Sequence, residues 1–398
     1  MTGPVFTPLR IHVLLATLNH LAFNGIRITV TLYAAASQAS PALIGLIAGS
    51  FGVVSAFTAV SMGRWVDRGG PRAPMMAASL WVAGGSALAG LAGHFDLSLL
   101  VLFLVCPVVG MFNSTFQIAT QQTVGRYGQP SERPANFALQ SLGLAVATFC
   151  GPLVAGVCID HVGGYAITFL ILAAIAFVPF IVIGSGRLHF PAAGPKAPVK
   201  ADAPGGWRLL RSRELRKTYV IATLNNGVWS VTGFMIPIYG VQIGLSATAI
   251  GTLMSCLAAG VVGVRLLLPV LSRRFRTWTL VLAAQTLIAI GFAWMPFTSS
   301  YLLLVPAAVL IGMGLGIGGP MSTSLMYDAS PEGKIAEVVG LRMTGANVCQ
   351  TLVPLALGAV GAAVGVGPVF WTVGAIVFGD CLSNRDKLAR RPGRDAEA

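Results

Sequence analysis

The sequence has 398 residues, of which 55% are apolar and only 10% are charged, and its mean hydropathy is +0.78. Soluble domains carry about 25% charged residues, so this composition excludes an ordinary water-soluble enzyme. Whether the net charge of +13 indicates a nucleic-acid partner depends on where the basic residues lie.

Twelve apolar runs follow one another along the chain, bounded by Pro, Gly and charge clusters. Runs of about 20 residues cross the hydrocarbon core of a bilayer, and they do so as helices because no water is available there for the backbone. We therefore predict an all-α integral membrane protein with twelve transmembrane helices. The predicted spans cover residues 11–36, 41–63, 74–93, 97–124, 134–159, 164–184, 217–242, 246–271, 276–296, 300–326, 335–361 and 366–382.

The basic residues support this number of spans. If the N-terminus is cytoplasmic, nearly all of the 26 Lys and Arg residues fall in cytoplasmic segments, and the opposite loops contain none. Cytoplasmic loops of membrane proteins are enriched in Lys and Arg. We expect both termini to be cytoplasmic and no nucleic-acid partner. The excess of Arg over Lys is typical of a bacterium with a GC-rich genome, so the predicted location is the inner (cytoplasmic) membrane.

The longest connection, with the sequence PAAGPKAPVKADAPGG, has the composition of a flexible linker and divides the chain into halves of six spans. The halves resemble each other: Ala16–Asn19 recurs as Ala222–Asn225, and Pro152–Leu153 recurs as Pro354–Leu355. An even number of spans per half makes the repeat parallel. The predicted domains are an N-terminal six-helix bundle (1–184), a cytoplasmic central linker (185–215), a C-terminal six-helix bundle (216–382) and a cytoplasmic tail (383–398).

The loop after the second span has the sequence Gly63-Arg64-Trp65-Val66-Asp67-Arg68-Gly69-Gly70-Pro71-Arg72. It resembles the G-x-x-x-D-R-x-G-x-R signature of the major facilitator superfamily, and the resemblance covers essentially the whole chain. It implies two parallel, pseudo-repeated six-helix bundles that move a solute by alternating access. Gly151-Pro152 and Gly156 resemble the glycine-proline signature of drug/proton antiporters, although that signature prefers glycine where this chain has alanine.

The resemblance also implies a cytoplasmic gate, because the Asp and Arg of this signature help to lock that side in the family. Gly63 and Gly70 would permit a close approach of the chain at this gate. Arg342 of span 11 lies at a depth that suits the same gate. The alternative is that the arginines of the loop only enforce topology. The predicted gate residues are Gly63, Asp67, Arg68, Gly70, Arg72 and Arg342.

Small residues recur at every fourth position in spans 5 and 8. Such stripes let helix backbones approach closely in lipid. By the resemblance, spans 5 and 8 face each other across the two halves, as do spans 2 and 11, so the stripes predict a smooth seam for the rocking motion. Static packing is the alternative. The stripes are Gly143, Ala147, Gly151 and Ala155 in span 5, and Gly251, Ser255, Ala259 and Gly263 in span 8.

Three arginines, Arg27, Arg265 and Arg342, lie within predicted spans. A charge at the bilayer centre costs about 2.5–3.5 kcal/mol even on the insertion scale, so each must face the protein interior, water or a partner. All thirteen acidic residues lie in loops or near span ends. We therefore predict that Arg27 contacts an anionic or strongly dipolar part of a substrate; the alternative is a structural arginine bonded to helix carbonyls.

His20, Asn24 and Arg27 share one face of span 1, at spacings of four and three. In the family that the chain resembles, spans 1, 4, 7 and 10 line the central cavity. Imidazole exchanges protons near neutral pH, so His20 is also the candidate proton carrier, with a satisfied polar histidine as the alternative. The predicted substrate-binding residues are His20, Asn24, Arg27, Asn113, Gln117 and Asn226.

The sequence contains no ATP-binding or metal-ligand signature, so a gradient must supply the energy. We expect a secondary transporter, not an enzyme, that moves a small anionic or amphipathic organic solute, with proton-linked efflux as the specific version. Uptake or exchange of an organic anion, such as a carboxylate, is the alternative, and a membrane-embedded enzyme or receptor is a remote one. The expected partners are a small-molecule substrate, the lipid bilayer and protons; we expect a monomer with no cofactor and no metal.

Overall fold

The computed structural model describes residues 8–92, 98–127, 133–190, 210–330 and 335–386, and these residues form twelve α-helices and no β-strand. Residues 159–163 form a π-helical turn, and residues 295–297 form a 3-10 turn. The twelve helices confirm the predicted all-α fold with twelve spans. They are α1 (Pro8–Ala36), α2 (Pro41–Gly69), α3 (Arg72–Ala92), α4 (Ser98–Arg126), α5 (Arg133–Cys158), α6 (Gly164–Gly184), α7 (Arg213–Gln242), α8 (Ala247–Arg274), α9 (Thr277–Trp294), α10 (Tyr301–Asp328), α11 (Ile335–Val364) and α12 (Val366–Ser383).

Ten stretches of the described helices are long and apolar enough to cross a membrane. One of them, residues 139–184, contains most of α5 and all of α6, and the more polar α7 is the helix that falls outside the ten. Large apolar side chains point outward: Phe57 is 84% exposed and Leu302 is 79% exposed. Such an outer surface is unfavourable in water but matches lipid.

The loop predicted after the second span is shorter than expected, because α2 continues to Gly69 and only Gly70 and Pro71 separate it from α3. Ser40 caps the start of α2 by accepting a hydrogen bond from the backbone N–H of Leu43. At its other end α2 stops at Gly69, and Gly70 has a φ of 75°, a conformation that side chains disfavour. The chain therefore reverses within two residues, and α3 begins at Arg72.

The chain forms two compact units. Unit 1 contains the described residues of Met1–Lys200, together with Gly233–Ser255 and Gln350–Ala362. Within it, α1 packs on α4, α5 and α6, and α3 packs on α4 and α6. Phe116 and Met75 are fully buried in one of its apolar clusters. Unit 1 thus includes parts of α7, α8 and α11 beside the first six helices.

In unit 1, α8 packs closely against α5. A Cβ atom on Gly251 would lie 2.5 Å from the carbonyl oxygen of Pro152, and the Ser255 hydroxyl donates a 2.7 Å hydrogen bond to the Phe149 carbonyl. The close contact of α8 was predicted from its small residues. Gly143 and Gly151 of the α5 stripe, in contrast, face α1: a Cβ on Gly151 would lie 2.8 Å from the carbonyl oxygen of Leu21. Ala155 packs with Ala247 and Ile250 of α8. Of the predicted stripe, Ala155 thus meets α8 as expected, and the other contacts with α8 come from neighbouring residues of α5: Phe149, Pro152 and Gly156.

A close contact between α2 and α11, where the seam of spans 2 and 11 was predicted, is also present in unit 1. A Cβ on Gly49 would lie 2.8 Å from the Thr351 carbonyl oxygen, and a Cβ on Gly358 would lie 2.7 Å from the Pro41 carbonyl oxygen. Glycine lets the two backbones approach each other without a side chain between them.

Unit 2 contains the described residues of Ala201–Thr232, Cys256–Cys349 and Ala363–Ala398. Within it, α9 packs on α10 and α12. The glycine run of α10 allows close contacts with its neighbours: a Cβ on Gly314 would lie 2.6 Å from the Ala284 carbonyl oxygen of α9, and one on Gly316 would lie 2.8 Å from the Val261 carbonyl oxygen of α8.

Candidate functional site

A cluster of polar side chains joins α1 and α4 inside unit 1. The Gln117 amide donates to the His20 Nδ1 atom at 3.0 Å, which leaves the imidazole proton on Nε2. One turn away, the Asn19 amide donates to the Asn113 side-chain oxygen at 3.4 Å. Asn19 is fully buried, and Asn113 is buried as well. Three of the predicted residues, His20, Asn113 and Gln117, are thus brought together with Asn19, which the sequence analysis did not select.

This cluster retains unused hydrogen-bond acceptors. The side-chain oxygens of Asn19 and Gln117 are buried, and neither has a hydrogen-bond partner among the described residues. Leaving a buried acceptor unsatisfied costs about 1–3 kcal/mol. A bound molecule with donor groups would recover this energy, so the cluster has the chemistry of a polar binding surface.

The side chain of Arg27, in α1, lies against α7. Its Nη2 atom is 3.1 Å from the position that a Cβ atom would take on Gly233, so the glycine leaves room for the guanidinium. Its Cζ atom lies 5.8 Å from the centre of the Phe23 ring, at a distance typical of a cation–π contact. Within the described part of the chain, the guanidinium forms neither a hydrogen bond nor an ion pair.

Aromatic rings separate the arginine from the polar cluster. Phe23 stacks on the His20 imidazole with a centroid distance of 6.1 Å and meets the Phe51 ring edge-on at 5.7 Å. The same ring is therefore flanked by an imidazole and a guanidinium. Together these groups offer a positive charge, an apolar surface and hydrogen-bonding amides to one small molecule.

Two predicted binding residues lie elsewhere. The Asn24 amide donates to the His20 carbonyl oxygen at 2.9 Å, and its Cβ lies 2.9 Å from the Cβ position of Gly151, so the side chain faces α5. The Asn226 amide donates to the carbonyl oxygen of Ala222, one turn back in its own helix, and belongs to unit 2. A shared helix face predicts a common direction, but it does not predict which helix packs there.

A second polar group, in unit 2, was missed. The Gln285 amide of α9 donates a 2.5 Å hydrogen bond to the Asp380 carboxylate of α12, and the Asn384 amide donates to the same carboxylate at 3.3 Å. Gln285 also lines a void of about 10 Å³ with Asn225, a size that admits about one water molecule. Asn225 is the repeat partner of the buried Asn19, so the internal repeat was the signal that marks both asparagines.

The predicted gate residues divide between the units. Arg68 is exposed at the end of α2, and Arg72 begins α3; the Asp67 side chain lies outside the described residues. Open space surrounds the Cβ positions of Gly63 and Gly70, so in this structure Gly70 is required by its φ angle rather than by a close contact. Arg342, in α11, belongs to unit 2, where its buried Nε atom has no hydrogen-bond partner among the described residues.

The fold resembles solved transporter structures. A nucleoside transporter, NupG, superimposes with a TM-score of 0.78 at 12% identity, covering 95% of this chain and 99% of that chain. A POT peptide transporter in complex with sulfate gives a TM-score of 0.79 at 16% identity, covering 98% and 96%. A bacterial homologue of the human lysosomal transporter Spinster, inward-facing and unoccupied, gives 0.73 at 17% identity, covering 98% and 100%. At these identities the likeness shows the fold alone.

No curated protein matches the sequence. Residues 13–354 match the sequence model of the family described as Major Facilitator Superfamily. This match confirms the resemblance seen in the signature loop. This family consists of multi-pass membrane transporters and is not a class of enzymes. The chain therefore belongs to the Major Facilitator Superfamily.

Proposed function

We propose that the chain is a secondary transporter of a small organic anion and that Arg27 binds the negative charge of its substrate. The observation that supports this proposal is the guanidinium of Arg27, which has no hydrogen-bond or ion-pair partner among the described residues. Arg27 is half-buried within a predicted membrane span. A charge there is normally paired, because the loss of its hydration is otherwise not compensated. An anionic solute would supply the missing charge.

The surrounding residues suggest how the rest of the substrate would bind. Donor groups of the solute would satisfy the free oxygens of Asn19 and Gln117, and an apolar part would lie along the Phe23 ring. Because Arg27 belongs to α1 and also lies against Gly233 of α7, bound solute would contact two helices from different halves of the sequence. Such differential contact can shift the balance between conformational states.

The proposal also includes an orientation in the membrane and a gate. Both termini would be cytoplasmic and the protein would lie in the inner membrane, as the distribution of Lys and Arg suggests. Asp67, Arg68 and Arg72, with Gly63 and Gly70 at the turn, would close the cytoplasmic side, together with Arg342. These gate roles are carried over from the family signature.

Proton coupling has two versions, and the geometry of His20 favours one of them. His20 and Arg27 flank the same Phe23 ring, so a proton on His20 would add a second positive charge beside the anion site. Proton and anion would then strengthen each other's binding. Mutual strengthening corresponds to symport, whereas proton-linked efflux requires that the two compete. The position of His20 therefore favours symport of an organic anion, and we propose symport as a second candidate function beside proton-linked efflux.

The charge preference can be tested by thermal stabilisation of the purified chain. Carboxylates and their neutral amides, for example succinate with succinamide and benzoate with benzamide, form matched pairs of probes. We expect a carboxylate to raise the melting temperature more than its amide, because a ligand that binds only the folded state stabilises it. The Arg27→Gln variant should lose this difference and Arg27→Lys should retain part of it. Equal stabilisation by amides, or an unchanged response of Arg27→Gln, would refute the proposal.

Flux measurements then separate the two coupling versions. The stabilising solute is followed in liposomes that contain the protein, with pH gradients imposed in either direction. Symport predicts that solute accumulates on the alkaline side, and efflux in exchange for protons predicts accumulation on the acidic side. Flux that does not respond to a pH gradient would eliminate both proton-coupled versions while leaving the anion site in place.

A further inference from the structure

A cleft of about 410 Å³ lies between the α2–α3 turn and the segment that follows α6. The basic residues Arg72, Arg187 and His189 contribute to its lining, and no acidic residue is among the lining residues that the structure describes. The volume is within the range of ordinary small-molecule sites, roughly 300–1,000 Å³. This cleft is separate from the Arg27 site, although two of its lining residues, Gly70 and Arg72, also belong to the proposed cytoplasmic gate.

The segment after α6 is anchored so that its basic residues line the cleft. Leu188 is buried in an apolar cluster, and the Phe190 ring meets His12 edge-on at 4.6 Å. Between them, the His189 carbonyl oxygen accepts a 2.6 Å hydrogen bond from the Tyr127 hydroxyl. Burial raises the pKa of Tyr127 to about 12, so this hydroxyl stays protonated and continues to donate at physiological pH. Arg187, which precedes the buried Leu188, is exposed.

The opposite wall is the start of α3. Arg72 is the first residue of that helix, where backbone N–H groups lack partners within the helix and the helix dipole favours an anion. Its Nη2 atom is 3.5 Å from the Cβ position of Gly186, so Arg72 reaches the wall that carries Arg187. In the described part of the chain, the guanidinium groups of Arg72 and Arg187 have no hydrogen-bond or ion-pair partner.

We propose that this cleft binds a phosphate group, supplied by the headgroup of an anionic phospholipid. Two guanidinium groups and a helix N-terminus are the donors that phosphate oxygens prefer. The cleft also lies at the ends of α2 and α6, where membrane-spanning helices meet the headgroup layer, and basic pockets in that position bind anionic lipids. A free phosphate ester offers the same chemistry, so the experiment must distinguish the two sources.

The test uses the full-length protein in detergent and measures binding of short-chain lipids. The probes are dihexanoyl phosphatidylglycerol, which is anionic, dihexanoyl phosphatidylcholine, which is zwitterionic, and inorganic phosphate alone. We expect the anionic lipid to bind more tightly than the zwitterionic lipid. In the double variant Arg72→Gln/Arg187→Gln, its affinity should fall about tenfold or more, because two contacts between charged groups are lost.

A matched control removes the same charge outside the cleft. Arg273 and Arg274 are exposed at the end of α8, so the variant Arg273→Gln/Arg274→Gln should bind the anionic lipid like the wild type. Inorganic phosphate that binds as tightly as the lipid, and whose binding is lost in the cleft variant, would support the site with a free phosphate as its occupant. Equal loss in both double variants, or no loss in the cleft variant, would overturn the proposal. A melting curve of each variant verifies that it is folded.

Discussion

The carboxylate of Asp160 accepts a 2.6 Å hydrogen bond from the backbone N–H of Thr248, in the first turn of α8. A second bond, of 3.2 Å, comes from the N–H of Ala247, and the Thr248 hydroxyl donates to the Gly156 carbonyl oxygen. A carboxylate that follows α5 thus caps a helix of the other sequence half, where the helix dipole favours a negative charge. Asp160 lies just before α6, whereas the phosphate cleft lies just after it. In the predicted topology, the Asp160 end of α6 is on the outer side of the membrane.

This cap gives the first prediction. The Asp160→Ala variant should lower the protection of the Thr248 amide against hydrogen exchange by about tenfold or more, because hydrogen bonds to charged groups contribute about 1.5–3 kcal/mol. The measurement is hydrogen exchange of the full-length protein, followed by mass spectrometry. Asp328→Ala, which removes an exposed acid at the end of α10, is the matched control and should leave this amide unchanged. Unaltered exchange in Asp160→Ala would contradict the assignment of the cap.

The second prediction concerns the space beside Arg27. A leucine at Gly233 would occupy the volume of the guanidinium, whose Nη2 atom is 3.1 Å from the Cβ position. We expect Gly233→Leu to abolish the carboxylate-specific rise in melting temperature and Gly233→Ala to weaken it. The control is Gly84→Ala, since a Cβ atom there meets nothing within 4 Å. A full carboxylate response in Gly233→Leu would separate Arg27 from substrate binding.

The third prediction compares two glycines of α8. A Cβ on Gly251 would lie 2.5 Å from the Pro152 carbonyl oxygen, whereas a Cβ on Gly263 meets nothing within 4 Å. Gly251→Ala should therefore destabilise the protein by about 1–3 kcal/mol through overpacking. Gly263→Ala should instead stabilise the helix by about 0.5–1 kcal/mol, because alanine is the better helix former. Thermal melting of both variants measures the difference, and equal melting temperatures would disprove the close contact.

The fourth prediction addresses the bond between Gln285 and Asp380. Gln285→Leu removes one donor to the carboxylate and should destabilise the protein by about 1–3 kcal/mol. Asp380→Leu leaves the Gln285 amide unpaired, so the double variant should lose less stability than the sum of the two single variants. Thermal melting of the four proteins completes the cycle. Additive losses would show that the two side chains are not energetically coupled.

Several features of the candidate site were visible in the sequence, and others were not. His20 and Gln117 were identified because polar residues are rare in apolar spans, and their hydrogen bond depends on the packing of α1 against α4. Asn24 was grouped with His20 by its helical spacing, yet it faces α5. Asn19 was passed over although the internal repeat pairs it with Asn225. Repetition of a polar residue in both halves therefore indicated the polar cluster better than helical spacing did.

The sequence by itself determined the number of helices, their order and the presence of a positive charge without an acidic neighbour in its span. These properties follow from the length and polarity of local segments, since lipid admits only apolar helices of a given length. Only the tertiary structure decided which face of α5 meets α8, that Gly233 leaves room for Arg27, and that Arg72 and Arg187 line one cleft. Helical periodicity fixes which residues share a face, but contacts between residues far apart in sequence depend on how the helices pack.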